Sequence, residues 1–136
     1  MSEADDGLLN TRLLMTASAV YTGLLGLAAA LFEEAILSLF GAAADDFSVV
    51  LVGVVGALYI GYAVLNWMAR GNLIGGVYSR PVAMGNFAHF LAVGVLLSQQ
   101  VPSTSHTVEL AVPAGFSVVF AAAFGWVVFG RGGSCG

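Results

Sequence analysis

Polar and charged residues fall in short clusters along this chain, and the stretches between them stay apolar for close to twenty residues at a time. Four such runs stand out, at residues 13–32, 48–68, 81–98 and 110–129. At about 1.5 Å of rise per residue, about 20 apolar residues cross the hydrocarbon of a bilayer. Each run therefore predicts a transmembrane α-helix, the third slightly short. Short connectors make successive spans alternate in direction. The expected fold is all-α, a four-helix transmembrane bundle with up-down-up-down order, in a single integral membrane domain over residues 1–136.

The breaks carry their own signals. Glu33 and Glu34 close the first run, and the apolar residues that follow, 35–40, are too few to cross again before Gly41. A short interfacial helix is expected there. The connector 70–80 holds Gly71, Gly75 and Gly76 and runs into Pro81, a residue suited to a first helical turn. Residues 99–107, with Pro102, form the last loop, and 130–136 reads as a flexible tail carrying Cys135.

Charge sets the direction of insertion. Arg12, Arg70, Arg80 and Arg131 are the only basic residues apart from two His, and all flank run ends that an alternating hairpin leaves on one side. Glu33, Glu34, Asp45, Asp46 and Glu109 fall in the alternate loops. Arg beside a span end is retained in the cytoplasm, which predicts a multi-pass protein of the cell membrane with N- and C-termini cytoplasmic. Trp67 and Trp126 fall near that same interface, where indole rings prefer to sit.

Composition narrows the function classes. The chain is 59% hydrophobic and 9% charged, against roughly 25% charged in soluble domains, so lipid is the solvent that fits. Residues 1–10 are polar and acidic, unlike the basic start of a cleavable signal, so the first span is expected to stay. A single Cys excludes an internal disulfide and a CxxC redox pair. The net charge of −4 without Lys matches salt-loving archaea or, equally, a GC-rich genome. Walker, HExxH and nucleophile-elbow patterns are absent, and four dispersed Arg make no nucleic-acid stripe.

Inside lipid, helices gain little by hiding apolar surface, so small residues that let backbones approach become the packing signal. Gly53, Ala57 and Gly61 recur at four-residue spacing on the second span, with Tyr59, Tyr62 and Asn66 on its opposite side. Ala19, Gly23, Gly26 and Ala30 form one stripe on the first span, and Ala114, Ser117, Ala121 and Gly125 another on the fourth. Pairing of the first two spans through their small faces is expected, and a Gly61→Leu change is expected to destabilise it.

Candidate chemistry is confined to a few polar side chains. His89 falls near the middle of the third span with Asn86 one turn earlier, and an ionisable group at that depth is costly enough to suggest a function. Antiparallel second and third spans would bring Asn86 and His89 towards Tyr59, Tyr62 or Asn66, making a buried polar patch that binds a ligand. The competing reading is a neutral His acting as interhelical glue. A two-His haem needs a second ligand at the same depth, and His106 lies outside the span; only a dimer would bring two His89 together. No cofactor is expected. Glu33, Glu34, Asp45 and Asp46 read as solvated span-end charges, so no metal site is expected either.

Two stretches carry a resemblance. Residues 26–32 running into Ser38-Leu39-Phe40-Gly41, and Gly56-Ala57-Leu58-Tyr59 leading to Asn66-Trp67-Met68-Ala69-Arg70, resemble uncharacterised small four-span prokaryotic integral membrane protein families. About half the chain is covered. The resemblance implies a fold and a topology, with no activity. Small multidrug exporters are similar in size, but their essential carboxylate sits inside span one, whereas Glu33 and Glu34 sit at its end. The expected function is a non-catalytic membrane subunit or self-associating interaction protein, with lipid and a homo-oligomer or larger membrane complex as partners. The alternative is a small-molecule or ion carrier using the patch around His89, and a third reading makes His89 an enzymatic acid or base.

Overall fold

The structure, a computed structural model, describes residues 3–71, 79–103 and 105–130. The greater part of the Gly-rich connector, Arg131, Cys135 and the rest of the tail lie outside the described residues. Helices account for all the regular structure described: α1 Glu3–Leu31, α2 Glu33–Leu39, α3 Asp46–Ala69, α4 Ser79–Gln100 and α5 Thr107–Gly125. A 3-10 turn, Val101–Ser103, follows α4, and a π-helical turn, Trp126–Gly130, extends α5. Four segments are long and apolar enough to cross a membrane, Thr11–Leu31, Asp46–Ala69, Arg80–Gln100 and Thr107–Gly130. The chain is a four-span, all-α membrane protein.

Each segment contains the greater part of one apolar run. The main difference is at the start, where α1 begins at Glu3, well before the run at Leu13. An apolar run marks where lipid begins; the helix is free to continue into water, because its backbone bonds are made internally. The chain divides into two compact units, one of residues 15–68 and one of residues 1–14 with 69–136.

In the first unit α1 and α3 run antiparallel and touch through glycine. A Cβ on Gly26 would lie 2.8 Å from the Gly56 carbonyl oxygen and 2.8 Å from Ile60, and one on Gly56 would lie 2.7 Å from the Ala30 amide nitrogen. A turn away, Gly23 faces the Ala63 methyl at 3.4 Å. Gly23, Gly26 and Ala30 are members of the stripe read from the sequence. On α3 the stripe is a different one: Gly56, Ile60 and Ala63 meet α1, Ala57 is exposed and Gly61 has open space around it. The expected loss of stability on Gly61→Leu is therefore corrected. Gly56 stands outside the regular four-residue repeat, yet it is the position where backbone meets backbone.

Between these helices lies α2, which begins at Glu33 rather than after the acidic pair. Phe32 leaves the helical conformation with φ −134° and ψ 41°, and the two carboxylates then occupy the first turn, where the helix dipole favours them. At its other end the Gly41 N–H bonds to the Ser38 carbonyl and the Ala42 N–H to the Leu37 carbonyl, at 3.0 and 2.8 Å. This closure places Gly41 at φ 66°, a left-handed conformation that glycine adopts without steric cost. Asp45 then caps α3: its carboxylate accepts from the Phe47 and Ser48 N–H groups, each at 3.1 Å, and from the Ser48 hydroxyl at 2.7 Å.

In the second unit α4 and α5 are also antiparallel. Gly94 packs on Val118, where a Cβ would come within 3.2 Å of a side-chain methyl, and Gly125 packs on the Phe87 ring at 3.0 Å. Ala114, Ser117 and Ala121 are buried, so the stripe read on the fourth span forms a packing face. Pro113 lies inside α5 and donates no amide hydrogen, but its carbonyl accepts the Ser117 hydroxyl at 2.8 Å.

Two outcomes follow from these contacts. Gly56→Leu drives a side chain into the α1 backbone and is expected to cost about 1–3 kcal/mol or more, whereas Gly61→Leu should unfold as wild type in a detergent that keeps the chain monomeric; equal loss in both would refute the α1–α3 contact. The hydrogen bonds from Ser48, with that from Phe47, hold the Asp45 carboxyl below the usual carboxylate range. A lowered folded pKa means stabilisation that is complete above that range and is lost as pH falls through it. Asp45→Asn, which keeps an accepting oxygen but no charge, should unfold slightly below wild type at neutral pH and lose less stability on acidification, so that the two converge in thermal scans at acidic pH.

Candidate functional site

The polar residues read as a patch divide between the two units. Tyr59, Tyr62 and Asn66 stand on α3 in the first unit, Asn86 and His89 on α4 in the second. Asn66 and Asn86 are fully buried, while Tyr59, Tyr62 and His89 are half-buried. Tyr21, half-buried on α1, belongs to the same unit as Tyr59 and Tyr62. Tyr21 was not among the residues singled out by sequence, because an isolated Tyr in an apolar run carries no spacing signal.

What the buried polar groups do is more regular than a ligand site. Ser18 donates to the Met15 carbonyl at 3.1 Å, Thr22 to the Ser18 carbonyl at 2.7 Å, and Asn86 Nδ2 to the Val82 carbonyl at 2.9 Å. Ser117 on α5 does the same with Pro113. Each of these bonds returns to the helix that carries the side chain, three or four residues back, as the backbone geometry allows. In hydrocarbon such a bond meets part of the polar group's hydrogen-bonding need from within its own helix.

His89 sits beside an aromatic cluster that sequence reasoning missed. Its ring meets Phe90 edge-on, with centroids 5.2 Å apart and planes at 69°. Phe90 is itself stacked on Phe120 at 4.9 Å and Phe124 at 6.0 Å, and Phe87 meets Phe129 edge-on at 5.4 Å. Among the described residues, Phe90 and Phe124 are the largest side chains fully removed from the surface. The four-residue recurrence of Phe116, Phe120 and Phe124 on α5 was a legible signal for part of this cluster. Aromatic pairs at these offsets contribute about 0.5–1.5 kcal/mol beyond the area they bury, which makes the ring stack a principal bond between α4 and α5.

Two apolar grooves lie beside these helix contacts. One, of about 550 Å³, runs between α4 and α5 over Phe90 and Gly94 and ends at Ser98 and Gln99. The other, of about 370 Å³, lies between α1 and α3 beside Gly23 and Ala63 and ends at Trp67. Among the described residues no group of three His, Cys, Asp or Glu comes together in a way that would hold a metal ion. No protein-family model, curated protein or solved structure matches the chain.

Because Phe90 lies at the centre of the ring stack, Phe90→Ala is expected to cost about 3–5 kcal/mol, at the upper end for core truncations. Reversible unfolding in mixed micelles measures this, and a cost below that of an exposed control such as Phe116→Ala would contradict the assignment.

Proposed function

We propose that this is a non-catalytic subunit of a prokaryotic cell membrane that acts by helix association, with a second copy or a larger membrane partner, and with both termini cytoplasmic. The observation that carries the reading is the state of α3. Of its residues only Gly56, Asn66 and Ala69 are buried, and the close approach to the α1 backbone is made at Gly56 and Ile60. Ala57 and Gly61 stay open on a face that α1 does not use, and nothing comes within 4 Å of a Cβ at Gly61. Small residues one turn apart on an uncovered face let a second helix come to backbone contact, the geometry by which helices associate in lipid.

The internal polar groups support the same reading. Ser18, Thr22, Asn86 and Ser117 hydrogen-bond within their own helices, which stabilises the spans and leaves those bonds unavailable to a passing substrate. Orientation is supported by the antiparallel pairs. In one, the start of the first span, at Arg12, and the end of α3, followed in sequence by Arg70, share an end; in the other, the start of α4, at Arg80, and the end of the last span, followed in sequence by Arg131, do so. The opposite ends carry Glu33, Glu34, Asp45, Asp46 and Glu109. This distribution follows the retention of Arg in the cytoplasm.

Gly61→Leu is expected to abolish association while leaving the protomer folded, as read by native mass spectrometry and by cross-linking in membranes. His89→Ala should leave association unchanged. A carrier would show the reverse pattern, with ligand uptake or binding lost on His89→Ala, and that result would overturn the proposal.

A further inference from the structure

The groove between α4 and α5 has a length, a depth and an end that together specify an occupant. On α4 it runs from Phe87 to Gln99, a rise of about 18 Å, against about 15 Å for the hydrocarbon of one leaflet, half of a core of about 30 Å. The span Arg80–Gln100 has its midpoint at Phe90. The groove therefore begins near the bilayer midplane and reaches the interface on the side of the α4–α5 connection.

Its walls change character along that path. From Phe87 to Val95, and along Val118 and Ala122 on α5, they are apolar; at the interface end the lining turns to Ser98 and Gln99, the only polar side chains in it. Both are exposed. Gly94 and Gly125 hold the two helices close, so the channel is a furrow beside a helix contact. A void in lipid forfeits the dispersion contacts of the atoms that line it, so a furrow facing the bilayer is filled by whatever flexible apolar chain is at hand.

We propose that this furrow is a binding site for one phospholipid of the leaflet on the α4–α5 connection side, its acyl chain lying between Phe87 and Val95 and its glycerol ester or headgroup oxygens accepting hydrogen bonds from Ser98 and Gln99. The chain axis then lies parallel to α4 and reaches polar groups at the depth where a lipid carries its own. A partner helix fits less well, because it would present a cylinder about 10 Å across to a furrow narrowed by Gly94 and Gly125. The site is built from α4 and α5 alone, whereas Ala57 and Gly61 belong to α3, so the two can be tested separately.

Native mass spectrometry of the full chain, delipidated and then titrated with phosphatidylglycerol, tests this. Wild type should retain one lipid at collision energies that strip the others. Ala122→Trp, a change at an exposed wall residue, should reduce that retained population several-fold. Gln99→Ala should reduce it less, and Val119→Trp, on an exposed position outside the furrow, should leave it unchanged. Thermal unfolding of each variant in detergent separates loss of the site from loss of the fold. No retained lipid in wild type, or a retained lipid indifferent to Ala122→Trp in a folded variant, overturns the proposal. So does a lipid-free dimer that Ala122→Trp dissociates, since a second copy would then be the occupant.

Discussion

Backbone contact between Gly26 and Gly56 is the constraint on which the first helix pair depends. Two helices in hydrocarbon exchange lipid contacts for protein contacts of nearly equal quality, so their association rests on how closely they approach and how well the surfaces mesh. At this crossing even a Cβ on either glycine would stand within 2.8 Å of the other helix's backbone. The rest of the α1–α3 interface, Gly23 against Ala63 and Gly26 against Ile60, is arranged around that point. The second pair solves the same problem differently, with Gly94 and Gly125 admitting Val118 and Phe87 while stacked Phe rings fill the space between.

A second constraint follows from the solvent. With no water at mid-depth, a polar side chain needs a bond that is always present, and the carbonyl three or four residues earlier on the same helix is the nearest. Ser18, Thr22, Asn86 and Ser117 all take it. A bond of this kind helps make these four polar residues compatible with burial. The proposed association face, at Ala57 and Gly61 on α3, and the proposed lipid furrow between α4 and α5 use none of these four side chains as a polar contact.

The four spans were legible because lipid imposes a length and an apolarity that short polar clusters cannot disguise. The short helix after the first span was legible too, although its start at Glu33 was not, since the acidic pair serves as a first turn. The packing face of α3 was missed for a physical reason. A four-residue repeat picked out Gly53, Ala57 and Gly61, whereas the crossing with α1 needs one glycine at the point of closest approach, and Gly56 fills that role with the larger Ile60 and Ala63 beside it. Composition alone does not say which glycine sits at a crossing. Likewise Asn86 and His89 were singled out for their polarity, while the adjacent Phe90, with Phe120 and Phe124, carries the packing. An apolar residue in an apolar run gives no local contrast.

The α1–α3 crossing admits a direct measurement. Cysteines placed at Gly23 and Ala63 would have their Cβ atoms about as close as the 3.4 Å between the Ala63 methyl and a Cβ built on Gly23, near the range of about 3.5–4.5 Å that a disulfide spans. In membranes, with Cys135→Ser to remove the native thiol, Gly23→Cys with Ala63→Cys should oxidise to an intramolecular cross-link, and Gly23→Cys with Gly61→Cys should not. Efficient cross-linking of the second pair without the first would place the other face of α3 against α1 and contradict the account.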